Sequence, residues 1–556
     1  MLSNRDLERS SARRAQRLVR DVARGGGAHF LTAAAVVLAA SAHGYFLFYR
    51  ALPLAMDEGY MGAFAQRLLA GRFLPYVDAV SQRGPLLYWS VAAFQALFGP
   101  SRWIGIRVLA LVANVVTLLA CSYAGVAARR PLVGAIAAAA YAAGTCLWLA
   151  PYHAIALNGE AIAAPFCMLA IGFAVSACEG PEERRVRQAA IAGLCAGLAA
   201  LSKQTSLLLV PALLVTLLGW SHGPRKLATT LALAAGATLP VLLLVVRYAI
   251  AGELSALWYW TVTYNRGIYM APFAQANGLA LTLDFMRGAH RELILASGLV
   301  GVVVLARTAG MRLRRQSVQA GESIAACALL AVPALAFGAL ATLRFWDHYF
   351  VIVLAPLGLL WGCAIDAALP APPAEAVTPD DRRHPTKIGH WVVGAGLAGL
   401  LLVGAVRLWH ERRGEEGHGF GPPLDPAPAC AIVDKYSRPG DRMFVWGFDS
   451  DLNVTCNRVP ASRFVFSVYL AGVVPPFWHD VRHAYVVPDG PKELLRDLQR
   501  SDPQLILDLP KIFDGLSVTA IDEVGPWVRS HYDAAEQITT RDGRTINFLV
   551  KRHAPR

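Results

Sequence analysis

Charge is what this sequence has little of. Asp, Glu, Lys and Arg make up only 16 % of its 556 residues, and 55 % are hydrophobic; a soluble globular chain carries about 25 % charged residues. That balance excludes an ordinary soluble enzyme and points to a membrane domain with room for one more domain. The chain has no Gly-rich phosphate loop, no Cys-x-x-Cys and no His/Cys run at zinc spacing, so nucleotide-driven chemistry and structural zinc have no motif to rest on. It shows no obvious internal repeat and no mid-helix charge pairs, which counts against a carrier that buries its charges near the bilayer midplane. The net charge of +13 would fit nucleic acid, but the basic residues lie in short clusters between apolar runs. That is the pattern of cytoplasmic loops, and it argues against nucleic-acid binding.

What is there is a succession of apolar runs. The N-terminus is polar and Arg-rich over 1–27, and the first run, 28–49, reads as an uncleaved signal anchor with its N-terminus inside. Further spans are expected at 103–127, 132–149, 161–178, 188–202, 206–221, 227–249, 291–307, 323–342, 350–368 and 388–408, eleven in all, with long outer loops at 50–102 and 250–290. The run 85–98 is too short to span and is placed as a helix lying at the outer interface. Were it to span, the Arg clusters would move outside, against the positive-inside rule. The fold class expected is therefore an α-helical polytopic membrane domain over 28–410 followed by a small soluble α/β domain over 415–556.

This topology gathers the chemistry-bearing polar residues on one face: Asp57, Glu58, Arg83, Asn158, Glu160, Lys203, Gln204, Asn265, Arg266, Arg344, Asp347 and His348. Two adjacent carboxylates at Asp57-Glu58, just past the first span, are either an ordinary wet loop or the acids of a site; the mixed acid and base set around them favours a site.

The order of signal anchor, Asp57-Glu58, the segment Gln82-Arg-Gly-Pro-Leu-Leu-Tyr-Trp89, many spans and a soluble tail resembles the GT-C glycosyltransferases. More narrowly it resembles the bacterial branch related to protein O-mannosyltransferases and the aminoarabinose transferase of lipid A. Asp347-His-Tyr-Phe350 with Pro356 is similar to the His-Tyr-Phe…Pro pattern of many bacterial members, and the tail is similar in Phe444-Val-Trp-Gly-Phe-Asp449 and Arg458-Val-Pro-Ala-Ser-Arg463. Arg83-Gly-Pro stands where the aminoarabinose branch typically has Lys-Pro-Pro, which keeps the basic residue and weakens assignment to that branch.

The resemblance implies a polyprenyl-phosphate-linked sugar as donor and a hydroxyl of a lipid, glycan or protein as acceptor, joined on the outer face of a bacterial cytoplasmic membrane. It implies Asp57 as general base, with Glu58 orienting the acceptor or ligating a divalent metal, although no ligand spacing demands a metal. The leaving phosphate needs cationic donors; Arg83 leads, followed by Lys203, Arg344 and His348. Asn158, Glu160, Gln204, Asn265 and Tyr349 are candidates for substrate contacts. Each has a plainer reading beside it: Glu160 as a helix-start carboxylate, Lys203 as a snorkelling side chain, His348 as part of an interfacial belt with Phe345, Trp346, Tyr349 and Phe350. The aromatics of 250–290 (Trp258, Tyr259, Trp260, Tyr264, Tyr269) either anchor that loop in headgroups or form a lid. A lipid-linked-sugar flippase, and an inactive glycolipid-binding relative, are the alternatives to an enzyme.

Seven of the nine cysteines lie in apolar runs, where Cys behaves as a small hydrophobe. Cys430 and Cys456 share the exported tail, where a disulfide is expected to be possible. Strands are expected in the tail at Met443–Trp446, His483–Val487, Gln504–Leu509 and Ile546–Val550, and a helix at Lys492–Arg500. No nucleophile motif is present there, so the tail is assigned no catalysis; it binds acceptor or braces the site.

Overall fold

The computed structural model describes residues 4–49, 56–99, 103–221, 224–273, 277–288, 290–313, 321–368, 426–474, 481–540 and 543–552. Among them eight helices are long and apolar enough to cross a membrane: Gly26–Phe48, Trp103–Ala127, Pro131–Trp148, Gly159–Glu179, Lys226–Ile250, Arg291–Gly310, Glu322–Leu340 and Asp347–Ala368. They coincide with eight of the expected spans. Two more expected spans are helical but fall short. Glu182–Ser202 opens on Glu182, Glu183, Arg184, Arg185 and Arg187, and Gln204–Trp220 is a shorter apolar helix. The expected span 388–408 lies outside the described residues.

The helices pack through small side chains. Ala120, Ala124, Ala137, Ala163, Ala170 and Ala199 share one buried cluster with Cys121, Cys167, Cys327 and Cys363; backbones can approach closely where side chains are short. The 14-residue helix Pro85–Phe98 is about 21 Å long, short of a ~30 Å hydrocarbon core. It buries Leu87, Tyr88 and Val91 and packs on Met56–Leu69 and Trp103–Ala127.

The segment 250–290 is not the open loop expected. It folds into short helical pieces, Leu254–Trp258, Tyr259–Thr263, Asn265–Tyr269, Ala271–Phe273 and Gly278–Arg287. Its aromatics divide: Trp258 is exposed, while Trp260 and Tyr264 are buried and pack their rings on Tyr469 of the tail.

The tail is a mixed sheet with order β2-β1-β3-β5-β4, where β1 is Arg442–Trp446, β2 Val459–Pro460, β3 Leu505–Asp508, β4 Tyr532–Thr539 and β5 Thr545–Lys551. β1 pairs in parallel with β2 and β3, and β5 runs antiparallel to β3 and β4. One strand expectation changes. Residues His483–Tyr485 form a 3-10 turn, because the Val487 N–H is drawn to the Tyr469 carbonyl (2.9 Å) and not to a strand. The exposed edge strand β4 was not foreseen, because its charged and polar residues hide the strand period. Cys430 and Cys456 form a disulfide with Cα atoms 5.0 Å apart.

The tail is not a satellite. Phe444, Trp446, Phe466 and Tyr469 share one hydrophobic cluster with Tyr60, Phe64, Tyr88, Trp260 and Tyr264, so tail, first loop and 250–290 segment are welded over one end of the bundle.

Candidate functional site

Asp57 and Glu58 occupy the first turn of the Met56–Leu69 helix, where carboxylates meet the positive helix end. They have separate fates. The Glu58 side chain is 0 % exposed, 3.9 Å from the Arg107 guanidinium, and accepts a hydrogen bond from the Leu157 N–H (3.1 Å). Asp57 is 28 % exposed and accepts from Arg83 Nη2 at 2.7 Å. Of the pair, Asp57 is the one solvent and ligand can reach.

Burial alone would raise the Asp57 carboxyl, but Arg83 first, then His348 and Lys203, outweigh it and hold the group below its ordinary value. It is a carboxylate throughout the neutral range.

Arg83 is presented by a tightly tied segment. Tyr76 Oη donates to the Arg83 carbonyl (2.7 Å), the Arg83 N–H donates to Ser81 Oγ (3.1 Å), and Ser81 Oγ bonds Tyr88 Oη (2.6 Å). The next residue explains the Arg-Gly-Pro spelling. A Cβ on Gly84 would stand 2.1 Å from the Leu201 carbonyl oxygen and 2.8 Å from that of Ser202, so only glycine lets the segment lie against the end of the neighbouring helix. Gly84→Ala is expected to cost about 1–3 kcal/mol, read as a lower melting temperature of the detergent-solubilised protein; an unchanged melting curve would show that the contact can open freely.

Lys203 stands at the end of Glu182–Ser202, its Nζ 2.5 Å from Glu160 Oε1 and 3.8 Å from the Tyr349 ring centroid. Glu160 is 2 % exposed, so it holds Lys203 in place over Tyr349. Asn158 caps the Gly159–Glu179 helix by accepting from the Ala161 N–H (2.7 Å) and donates to the His153 carbonyl (2.8 Å). Gln204 and Asn265 both donate to the Gln82 carbonyl, at 2.9 and 3.2 Å.

Arg344 places its guanidinium carbon over the Tyr269 ring, 3.5 Å from its centroid, and donates to the Tyr269 carbonyl. It is 7 % exposed, yet its Nε and Nη1 have no hydrogen-bond partner. No ion pair to a carboxylate is found for it among the described residues. Its neighbours Leu343 and Phe345 are held at φ +53° and +49°, a left-handed conformation costly for such side chains. Tyr269 and Tyr349 join hydroxyls at 3.3 Å, which links the Arg344 and Lys203 perches. Burial would raise the Tyr269 phenol, but Arg344, the Tyr349 hydroxyl, Lys203 and Arg83 together bring it below its usual value. Arg344 is the cation in contact with this tyrosine, and Lys203 stands on its hydrogen-bonded partner Tyr349.

Sequence reasoning missed Tyr269 in this role, and missed two histidines. His153 Nδ1 lies 3.3 Å from His348 Nδ1, and its Nε2 3.9 Å from Asp347. His290 receives the Trp148 indole N–H on Nδ1 (3.2 Å), which leaves the proton on Nε2 to go to Asp347 Oδ1 (3.0 Å). His153 and His290 sit at the same helix ends as His348, and that shared placement was the one available signal. Among the described residues no group of three or more His, Cys, Asp or Glu side chains is arranged to hold a metal ion.

Residues 82–249 match the family model of dolichyl-phosphate-mannose-protein mannosyltransferases. The fold is similar to that of ArnT from Cupriavidus metallidurans bound to undecaprenyl phosphate, with TM-score 0.51 and 16 % identity over 94 % of this chain and 98 % of that one. The chain therefore has an ArnT-like fold. ArnT from the same organism in the apo state aligns with TM-score 0.48 and 16 % identity, covering 95 % of this chain and 98 % of that one. The Archaeoglobus fulgidus oligosaccharyltransferase in complex with Zn and sulfate aligns with TM-score 0.49 and 14 % identity, covering 93 % of this chain and 72 % of that one. No curated protein matches the sequence. The segment of this chain matched by the family model holds Arg83, Asn158, Glu160, Lys203 and Gln204; Asp57, Asn265, Tyr269, Arg344, His348 and Tyr349 lie outside it.

Proposed function

We propose that this protein transfers a sugar from a polyprenyl-phosphate carrier to an acceptor hydroxyl, with Asp57 as general base. The observation that carries the reading is the pairing of an accessible carboxylate with a cationic wall, in which Arg344 is buried with unpartnered N–H groups. A buried guanidinium lacking an anion is costly, and a phosphate supplies that anion with matching geometry. The shared fold with a structure holding undecaprenyl phosphate supports the same carrier here.

In the reaction the acceptor oxygen forms a bond to the anomeric carbon as the bond from that carbon to the carrier phosphate breaks, with inversion. The acceptor proton passes to an Asp57 oxygen. Asp57 is a weak base while the hydroxyl is neutral and becomes an adequate one as the attacking oxygen turns acidic in the transition state. The negative charge left on the phosphate is taken by Arg83, Lys203 and Arg344, which are already in place and need little reorganisation. Arg83 uses one of its five donors on Asp57 and has others for the phosphate. His348, linked to His153, closes the wall beside Asp57. Asn158, Glu160, Gln204, Asn265 and Tyr349 act mainly by fixing this wall. The site and the tail lie on the outer face of a bacterial cytoplasmic membrane, and the tail disulfide supports that side.

The direct test is mass spectrometry of lipid-linked sugars and envelope glycans in cells carrying wild type or Asp57→Asn. One polyprenyl-phosphate sugar is expected to accumulate in the mutant while one glycan loses that sugar; unchanged pools with the mutant protein present in the membrane would sink the assignment.

A pH profile adds a second check. Because Asp57 is held below its ordinary value, the carboxylate is present above that lowered pKa and activity is lost only as pH falls through it. Removing the main lowering partner by Arg83→Gln raises the Asp57 pKa, so the acid limb of kcat/KM is expected to move to higher pH. A limb that stays in place would show that the limb belongs to another group.

A further inference from the structure

The tail was assigned no part in the chemistry, yet its contacts end beside both members of the Asp57–Arg83 pair. Tyr469, 1 % exposed, donates its hydroxyl to Gln82 Oε1 at 2.6 Å. The carbonyl of the same Gln82 accepts from Gln204 and Asn265, so two further segments and the tail meet on the residue next to Arg83. Two residues earlier, the Val80 N–H donates to the Arg463 carbonyl (3.0 Å), while the Val80 carbonyl accepts from Tyr60 Oη (3.0 Å). Arg463 is itself clamped by Asp497 through Nε and Nη2, each at 3.0 Å.

On the other partner's helix, a Cβ on Gly59 would stand 2.4 Å from Asp451 Cβ and 2.9 Å from its Cα. The tail thus rests directly on the turn that carries Asp57. Phe466 lies 5.0 Å, ring to ring, from Tyr60 between these two points.

We infer that the tail is a working part of the site, with Tyr469 a positioning residue that sets Arg83 toward the carrier phosphate through Gln82. The inference rests on the functional reading above. It gives the tail a task that a loosely tethered domain cannot perform: the guanidinium is aimed by a hydrogen bond made from another domain. A side chain so placed loses less freedom when the phosphate arrives.

The test uses full-length protein in nanodiscs, with undecaprenyl phosphate as the probe and its Kd as the readout. Arg83→Ala is expected to weaken binding by about 10–100-fold, since it removes a charged hydrogen bond. Tyr469→Phe is expected to weaken it by about 2–10-fold, the scale of one neutral hydrogen bond. The decisive arm is the pair: Tyr469→Phe added to Arg83→Ala is expected to cost nothing further, because Tyr469 acts only through Arg83. A merely structural role would weaken the double variant additively, and that result overturns the inference. Tyr532→Phe deletes a buried hydroxyl bound to the Pro503 carbonyl elsewhere in the tail and is expected to leave Kd unchanged; an equal loss there also overturns it. Should Tyr469→Phe fail to fold, Gln82→Met removes the same hydrogen bond from the other side and is read in the same cycle. If Arg83→Ala binds normally, the functional reading falls and the inference with it. If Arg83→Ala is weak and Tyr469→Phe is normal, the inference alone falls.

Discussion

Asp57→Asn is expected to lower kcat by about 10²–10⁴-fold, the range a positioned general base contributes, with affinity for the carrier retained. Asn keeps the shape, and its side-chain oxygen still accepts from Arg83 as Asp57 Oδ1 does at 2.7 Å, so the wall stays in place. What disappears is the capacity to take a proton. The amide also leaves Arg83 with its charge uncompensated, which favours binding of an anionic phosphate. The signature is therefore a split: turnover collapses while the Kd for undecaprenyl phosphate stays equal or tightens. Turnover within a few-fold of wild type would remove Asp57 from the base role, and loss of binding alongside turnover would make it a structural residue.

The second large effect belongs to its neighbour and falls on stability. Glu58 has no exposed surface and faces Arg107, itself 5 % exposed, with the Leu157 N–H on its other oxygen. Glu58→Ala leaves a buried guanidinium and a buried amide N–H facing a void. Truncating one member of a buried pair costs about 3–5 kcal/mol, a large part of a typical margin. The expected result is a protein that is poorly recovered from membranes and melts well below wild type. Rescue by Glu58→Gln, which keeps the bond to Leu157, is expected to be partial. A normal melting curve for Glu58→Ala would show that the pair gives no net stability.

These two predictions separate residues that the sequence presents as one motif, and the reason is geometric. Successive residues in a helix point about 100° apart, so one acid of the pair meets the cavity and the other meets the core. Adjacency made the pair visible; it said nothing about which way each faces. Arg83 was legible because it lies in one short segment with Gly84 and Pro85, and the eight apolar helices were legible from composition. Pairings across long separations were not. Glu160 and Lys203 each had a plain local reading as cap and snorkel, and only the fold shows that they bind each other. His153 and His290 are lone histidines in sequence and become partners of His348 and Asp347 only when helix ends meet. The 250–290 segment misled because its aromatics suit headgroups as well as a core, and Tyr469 lies 205 positions or more from the rings it covers there.

The Cys430–Cys456 bond carries a consequence for how the protein matures. It ties the Pro426–Tyr436 helix, the first described element of the tail, to the residue that ends the Asp451–Thr455 helix. Asp451 at the start of that short helix is the residue lying against Gly59. On the topology proposed above, the apolar helices insert first and an oxidation then draws the tail together over them. On that same proposed topology, a cell short of thiol oxidases outside the membrane is expected to accumulate inserted but unfinished molecules, read as free Cys430 and Cys456 thiols in membrane fractions.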